Sequence, residues 1–263
     1  MKISIITVVF NDREGVFTTL SSISSQTYRQ TEVIIVDGLS TDGTVDVVRQ
    51  FDQFVSCFIS EPDEGIYDAM NKGLRLATGD FVIFLNAGDY FASNLVLASF
   101  ASAVADRNSV YFGRALVSSH DDSWHFPPLS VDENSISAWL KHNVPNHQAM
   151  FFPKCFYKES FFDTTLKISA DADYKLKAQK ISQIPFVFLD QVISVFELGG
   201  VSTSYTDLNT ALVRARDSWK VNRKYFGLLV AFKRLGLLGI KVMITSVLGE
   251  DRLVRTIKSV KSR

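Results

Sequence analysis

Asp12, Asp37 and Asp89 each stand at or just beyond the end of an apolar run, covering residues 3–9, 33–36 and 81–85. Continuous runs rich in β-branched and aromatic residues read as buried parallel strands. Open α/β sheets bind their ligands beyond the carboxyl ends of such strands. Asp89 is the sharpest case, because it closes the small polar turn Asn86-Ala87-Gly88-Asp89. A carboxylate flanked by Gly and Ala suits a divalent cation that must also touch a bulky phosphate. At this level Asp12 can equally be a helix cap, and a turn former is the lesser alternative for Asp37.

Elements between the runs must hold these carboxylates in place. Asn11 or Asp12 can start a helix with Val16, Leu20 and Ile23 on one face. Ser40-Thr41-Asp42-Gly43-Thr44 reads as a turn and second helix start, with Val45, Val48 and Phe51 or Phe54 facing inward. Residues 55–60 form a third strand, and residues 65–77 a helix with Ile66, Met70 and Leu74 on one face and Gly79 as its C-terminal cap. Strand alternating with helix predicts a parallel sheet covered on both faces. Beyond Asp89 the pattern becomes mixed α+β: a helix over 92–105, strands over 110–117 and 149–153, and an aromatic, Pro-containing stretch over 124–129. A helix over 171–180 and an extended run over 187–196 follow. From Thr206 the chain reads as helical to its end, broken near Gly227, Gly236, Gly239 and Gly249.

The 263 residues are 46% hydrophobic and 21% charged, which fits a globular chain able to bury a full core. Cys57 and Cys155 lie too far apart for a metal-ligand pair, and Cys57 in its apolar run reads as a buried reduced thiol. Neither G-x-G-x-x-G after the first strand nor G-x-x-x-x-G-K-[ST] occurs, which argues against NAD, FAD and P-loop chemistry. Net charge is zero but unevenly placed: residues 220–263 hold eleven Lys or Arg against two acids, leaving an acidic body with a basic tail.

In order and spacing, five segments resemble family 2 glycosyltransferases: residues 3–11, 32–44, 61–73, 77–80 and 85–89. The resemblance covers residues 3–92 closely and 145–202 more loosely. It implies an α/β fold of the GT-A type, a Rossmann-like, mainly parallel sheet with helices on both faces, plus a C-terminal helical extension. It implies a nucleotide-binding half over 1–92, an acceptor-binding half over 93–204 and the extension over 205–263. Thr7, Val9 and Asn11 would then line the base and ribose pocket, and Asp37 would accept hydrogen bonds there. Asp68 and Lys72 sit where related enzymes contact the donor. Asp89 matches the last acid of the family's D-x-D-type signature and would hold Mn²⁺ or Mg²⁺ on the diphosphate. The chain departs from the common pattern at Asn86 and Gly88. A single carboxylate with phosphate oxygens and waters still makes a site for a hard cation.

Ser169-Ala170-Asp171-Ala172-Asp173-Tyr174 resembles the family's acidic segment at a helix start, which makes Asp171 the general base of an inverting transfer. A carboxylate at a helix N-terminus is favoured as the anion, although Asp171 or Asp173 could also simply cap that helix. His147 of Asn146-His147-Gln148 would touch the donor phosphate or the acceptor, or serve as a structural hydrogen-bonder. Gly199 and Gly200 would approach the diphosphate through their backbone or form an ordinary turn. Trp124 and Trp139 could stack on a sugar, with core packing the plainer reading.

The resemblance implies a UDP-sugar donor and a glycan acceptor, lipid-linked, in bacterial surface polysaccharide synthesis such as O-antigen, capsule or exopolysaccharide. Basic residues interleaved with apolar ones over 225–260 suit an amphipathic helix on an anionic membrane surface. Packing on the catalytic domain or in a homodimer is the alternative. No signal peptide is visible and no apolar run reaches the ~20 residues of a membrane span. The location expected is therefore cytoplasmic and peripheral on the plasma membrane, with no nucleic-acid partner. A non-catalytic nucleotide- or glycan-binding partner of another transferase is the rival reading.

Overall fold

The computed structural model describes residues 1–119, 122–141, 143–197 and 208–248. Gly199, Gly200, Gly249 and the end of the basic tail lie outside them. The first half alternates as expected: β1 (Ile3–Val9), α1 (Arg13–Ser24), β2 (Thr31–Asp37), α2 (Thr44–Arg49), β3 (Cys57–Ser60), α3 (Ile66–Leu76) and β4 (Phe81–Phe84). The strands β3, β2, β1 and β4 lie side by side and all parallel. Their two faces separate cleanly by side-chain alternation. Ile6, Val8, Ile34, Val36, Val82 and Phe84 join one core with Met70 and Leu74 of α3. Ile3, Ile5, Val33, Ile35, Phe81 and Ile83 join the other with Val16 and Leu20 of α1 and Val48 of α2. Burial on both faces is why these strands read as unbroken apolar runs.

The second half adds β5 (Tyr90–Phe91), α4 (Val96–Ala103), β6 (Val110–Ser119), β7 (Asp122–Phe126), α5 (Ile136–Leu140), β8 (Met150–Pro153), α6 (Lys154–Tyr157), α7 (Ala170–Leu176) and β9 (Phe186–Glu197). These strands extend the same sheet in the order β4-β8-β6-β9-β5, with β7 paired to β6. The join is antiparallel, Phe81 opposite Pro153 and Val82 opposite Phe152. A mainly parallel sheet is thus continued by a mixed one, the expected fold class.

Several local expectations are corrected. Gly79 does not cap α3; Ala77 does, in extended backbone. Gly79 instead lies so close to β1 that a Cβ would meet Ser4 N at 2.8 Å and Lys2 O at 2.9 Å, a close approach that requires glycine. The inward face of α3 is Tyr67, Met70 and Leu74, while Ile66 is exposed, because a strict four-residue spacing drifts around a helix of 3.6 residues per turn. In α2 the buried pair is Val47 and Val48, with Val45 half-buried. Cys57 is half-buried on the edge strand β3 rather than enclosed. The expected helix over 92–105 is shorter, because Tyr90–Phe91 pairs with β9. Part of the aromatic stretch is the strand β7, and Trp124 is buried in a cluster with Val117 and Phe126, against which Trp139 packs. Beyond Leu176 the helix α7 continues as a π-helical turn, Lys177–Ile181.

The final helix, α8 (Leu208–Leu248), is broken at Gly227 with φ 81° and ψ 176°, while Gly236 and Gly239 stay helical. Its first part packs on the body: Val221 belongs to the core beneath α7, and Lys224 donates to Asp173 at 2.7 Å. After the break, Leu228, Leu229 and Phe232 are exposed, Leu229 by 89%. No helix among the described residues is long and apolar enough to cross a membrane.

Candidate functional site

Chain connections diverge between β1 and β4: β2 and β3 lie to one side of β1 and the whole second half lies to the other. A crevice at such a switch point is where an open α/β sheet places its ligand. The turns after β1, β2 and β4 are stitched together there. Gly38 N donates to Val9 O at 2.9 Å, Ala87 N to Val8 O at 3.1 Å, and Thr41 N to Asn11 Oδ1 at 2.8 Å. Asn11 holds its place with a left-handed φ of 47°. Asp12 is the α1 cap, accepting from Gly15 N at 2.9 Å. Asp37 is fully buried and accepts from Ser40 N at 3.0 Å, from Ser60 Oγ at 2.6 Å and from the Ser40 hydroxyl. Thr7 is also fully buried, and its Oγ1 has no hydrogen-bond partner.

Asp89 closes the turn after β4 with its side chain almost entirely out of water. Burial pushes its carboxyl up to about 7, against hydrogen bonds from the Asn86 backbone and the Gln148 side chain. The buried Thr19 hydroxyl of α1 lies 2.7 Å from Asp89 O and 3.1 Å from Asn86 O, bracing both ends of the turn. Gly88 has φ +90° and a Cβ there would meet nothing within 4 Å. The backbone requires glycine, and the space beside it is open. Asn86 Oδ1 is buried without a hydrogen-bond partner.

His147 and Asp171 reach the same crevice. His147 opens a 3₁₀ turn before β8, with Nε2 3.5 Å from Asn86 Nδ2 and Nδ1 3.6 Å from Asp171 Oδ2. Burial pulls His147 below the ordinary histidine value, against the opposing pull of Asp171. The neutral tautomer with hydrogen on Nδ1 suits both contacts: its N–H faces Asp171 Oδ2 and its Nε2 accepts from Asn86 Nδ2. Asp171 sits in the first turn of α7. Burial pushes its carboxyl up, but Lys175 at 2.8 Å and His147 outweigh that and hold it well below the usual carboxylate range. It keeps 24% of its side chain exposed, an opening through which a hydroxyl could reach it. The helix is seated by Tyr174, stacked on Phe162 at 4.2 Å. Neither Asp171 nor Asp173 caps α7 through its side chain, and Asp173 is taken up by Lys224.

Asp68 and Lys72 stand apart from this arrangement. Lys72 Nζ pairs with Glu61 at 2.8 Å and Asp68 at 3.7 Å and donates to Pro62 O at 2.7 Å. The two share no hydrogen bond or ion pair with Asp37, Asp89 or Asp171 among the described residues.

The family model described as "Glycosyl transferase family 2" matches residues 4–164. The chain belongs to that family. An uncharacterized glycosyltransferase of Mycobacterium tuberculosis is 31% identical to it over 229 residues, 85% of each chain. The Escherichia coli UDP-Glc:alpha-D-GlcNAc-diphosphoundecaprenol beta-1,3-glucosyltransferase WfaP is 33% identical over 95 residues, 36% of this chain and 38% of WfaP. Among solved structures, Staphylococcus aureus TarS 1-349 with UDP-GlcNAc has TM-score 0.64 at 17% identity, covering 93% of this chain and 73% of its own. The Pyrobaculum calidifontis mannosyltransferase PcManGT with GDP-Man and Mn²⁺ also has TM-score 0.64 at 17% identity, covering 98% and 79%. The GT-A fold follows.

In this family 2 glycosyltransferase no group of three or more His, Cys, Asp or Glu among the described residues could hold a metal alone. The residues present nevertheless fit a hard cation shared with a diphosphate. Asp89 offers a buried carboxylate without a cationic partner, and Asn86 offers an orphaned amide oxygen. Four residues of the site escaped sequence reasoning. Thr19 betrays itself as a polar residue on the apolar stripe of Val16, Leu20 and Ile23. Lys175 is four residues after Asp171, a spacing that pairs opposite charges on a helix. Gln148 and Tyr67 lie in segments that resemble the family, but the resemblance assigns them no role of their own.

Proposed function

We propose that the chain is an inverting glycosyltransferase that moves a sugar from a nucleotide-sugar donor to a hydroxyl of a glycan acceptor. The observation that carries this reading is the contact of one imidazole, His147, with both Asn86 of the donor-side turn and Asp171 of the acceptor-side helix. Asp171, ionised and partly open, takes the proton from the acceptor hydroxyl. The acceptor oxygen bonds to the anomeric carbon from the face opposite the leaving group. The bond from that carbon to the phosphate oxygen breaks, and its electron pair leaves with the nucleoside diphosphate. Asp89 and Asn86 would hold Mn²⁺ or Mg²⁺, which when bound supplies charge neutralisation for the diphosphate.

Thr7, Val9, Asn11 and Asp37 line the base and ribose side in this reading, and Gly88 gives the diphosphate room. Asp68 and Lys72 order the segment that opens α3. Residues 1–204 form the catalytic unit, and Gly199 and Gly200 keep their assignment as donor-loop residues. UDP is favoured; TarS, crystallised with UDP-GlcNAc, and WfaP, named for UDP-Glc, support it, while PcManGT with GDP-Man keeps GDP in the test. WfaP, named for a diphosphoundecaprenol acceptor, likewise supports a lipid-linked acceptor.

The test is calorimetry of UDP and GDP with and without Mn²⁺. Wild type should bind one of them in a Mn²⁺-dependent manner, and Asp89→Ala should weaken that binding by about a hundredfold, the scale of a lost charge contact. Absence of nucleotide binding under every metal condition would sink the reading.

The chain docks peripherally on the cytoplasmic leaflet through α8. Leu228, Leu229, Phe232 and Leu237 are exposed, within a region that carries eleven Lys or Arg against two acids. Replacing Leu229 and Phe232 with Glu should lower sedimentation with phosphatidylglycerol vesicles by about tenfold. Equal sedimentation of both forms would remove the membrane from the proposal.

A further inference from the structure

The two oxygens of the Asp171 carboxylate are held differently. Oδ2 accepts from Lys175 Nζ at 2.8 Å and lies 3.6 Å from His147 Nδ1. Oδ1 has the Tyr67 hydroxyl 3.4 Å away, but that hydroxyl donates its one proton to the Ile168 carbonyl at 2.7 Å. Among the described residues, Oδ1 is therefore left without a committed donor on the partly open side chain. Lys175 is itself unusual, a long ammonium side chain only 8% exposed. Lysines are rarely buried unless paired, and the partner here is Asp171. Of the groups that face this carboxylate, Lys175 belongs to α7, His147 to the turn before β8 and Tyr67 to α3. Lys224 of α8 is committed to Asp173.

We propose that Lys175 is a positioning residue for the transfer: with the His147 imidazole it pins Oδ2 of Asp171 and leaves Oδ1 as the atom that receives the acceptor proton. The inference rests on Asp171 being the base. A free carboxylate swings about its last bond and offers either oxygen; a pinned one presents a single lone pair in a fixed direction, which lowers the cost of reaching the attacking geometry. The pin also prevents the buried acid from protonating at neutral pH, where it could accept nothing. The counter-effect is weaker basicity, so the ammonium trades proton affinity for readiness and aim. An ion pair that merely stabilised a short helix would change melting and leave the titration of activity alone.

The experiment compares wild type with Lys175→Met and Lys175→Arg, using Asp171→Asn to assign the Asp171 resonance. Carbon NMR of protein labelled at the aspartate carboxyls reads the titration directly. The Asp171 midpoint should rise by about one unit or more in Lys175→Met and return most of the way in Lys175→Arg. An unchanged midpoint in a folded Lys175→Met protein overturns the pin. So does a wild-type Asp171 titrating at or above the ordinary carboxylate range, which decides the matter even if the Met variant fails to fold. Release of UDP from UDP-glucose, UDP-galactose and UDP-GlcNAc with Mn²⁺ supplies the second readout. In Lys175→Met, kcat at neutral pH should fall about tenfold or more with donor KM unchanged, and the acid limb of its pH profile should move upward. A fall that is uniform across pH, or no fall, overturns the positioning role. If wild type releases no UDP while the titration behaves as expected, the pin stands and the transferase reading fails.

Discussion

In the turn after β4, burial drives the Asp89 carboxyl up to about 7, and the groups that bond to it, the Asn86 backbone and the Gln148 side chain, are neutral. In the first turn of α7, Asp171 meets the same desolvation and the opposite outcome, because an internal ammonium lies 2.8 Å away. In the proposed reading the turn after β4 is an electrostatic half-site that its ligand must complete. The first turn of α7 is complete before any ligand arrives. A base must be ionised whenever a hydroxyl comes within reach, whereas a cation site gains from being poorly satisfied until cation and diphosphate arrive together.

The comparison breaks most visibly at Asp171. Asp171→Asn keeps shape and removes proton affinity, so transfer or donor hydrolysis should fall by about a thousandfold while nucleotide binding persists. Loss of nucleotide binding in the same variant would mean that the two sides are not independent, and retained turnover would remove Asp171 as the base. Next in size is Phe162→Ala. Phe162 stacks on Tyr174 at 4.2 Å and meets Phe84 at 5.2 Å, linking the seat of α7 to β4. Its removal should cost about 3–5 kcal/mol in denaturant unfolding and lower kcat more than it raises the nucleotide dissociation constant. The reverse split would place the seat on the donor side.

The smallest effect concerns a third carboxylate with no expected ligand. Burial pushes Glu32 up, but hydrogen bonds from Lys2, Ser4 and Thr78 outweigh it and hold the carboxyl at about 2. That is below its unfolded value, so its stabilisation is present above about pH 4.3 and is lost as pH falls toward the folded value. Glu32→Gln should lower stability by about 1–2 kcal/mol at neutral pH and flatten the acid slope in that window, without affecting nucleotide binding. An unchanged acid slope would show that the bonded carboxylate contributes nothing there.

The two halves also differ in how much of them was legible in the sequence. β1, β2 and β4 announce themselves because both faces are buried and the pattern is local. Asp89 could be picked out because the turn that carries it follows directly on β4. In the second half the decisive relations are between distant residues. Tyr90–Phe91 is a strand only because β9 passes beside it. His147 and Asp171 meet across a loop, and Lys175 looks like any surface lysine until the fold buries it. Asp68 and Lys72 match the family pattern by position; in the fold Lys72 pairs with Glu61 and Asp68 and donates to Pro62 O.

The ladder that joins the halves has a mechanical consequence. β4, which leads into the Asp89 turn, is hydrogen-bonded to β8, which follows the His147 turn, and β8 to β6. Sheet and chain therefore run together from the Asp89 turn to the His147 turn, and His147 in turn contacts Asp171. The spacing between the Asp89 turn and the His147 turn is set by two adjacent strands, like the gauge of a rail track. In the proposed reading, donor and acceptor would meet across a gap of set width, with adjustment left to the side chains and turns at the strand ends.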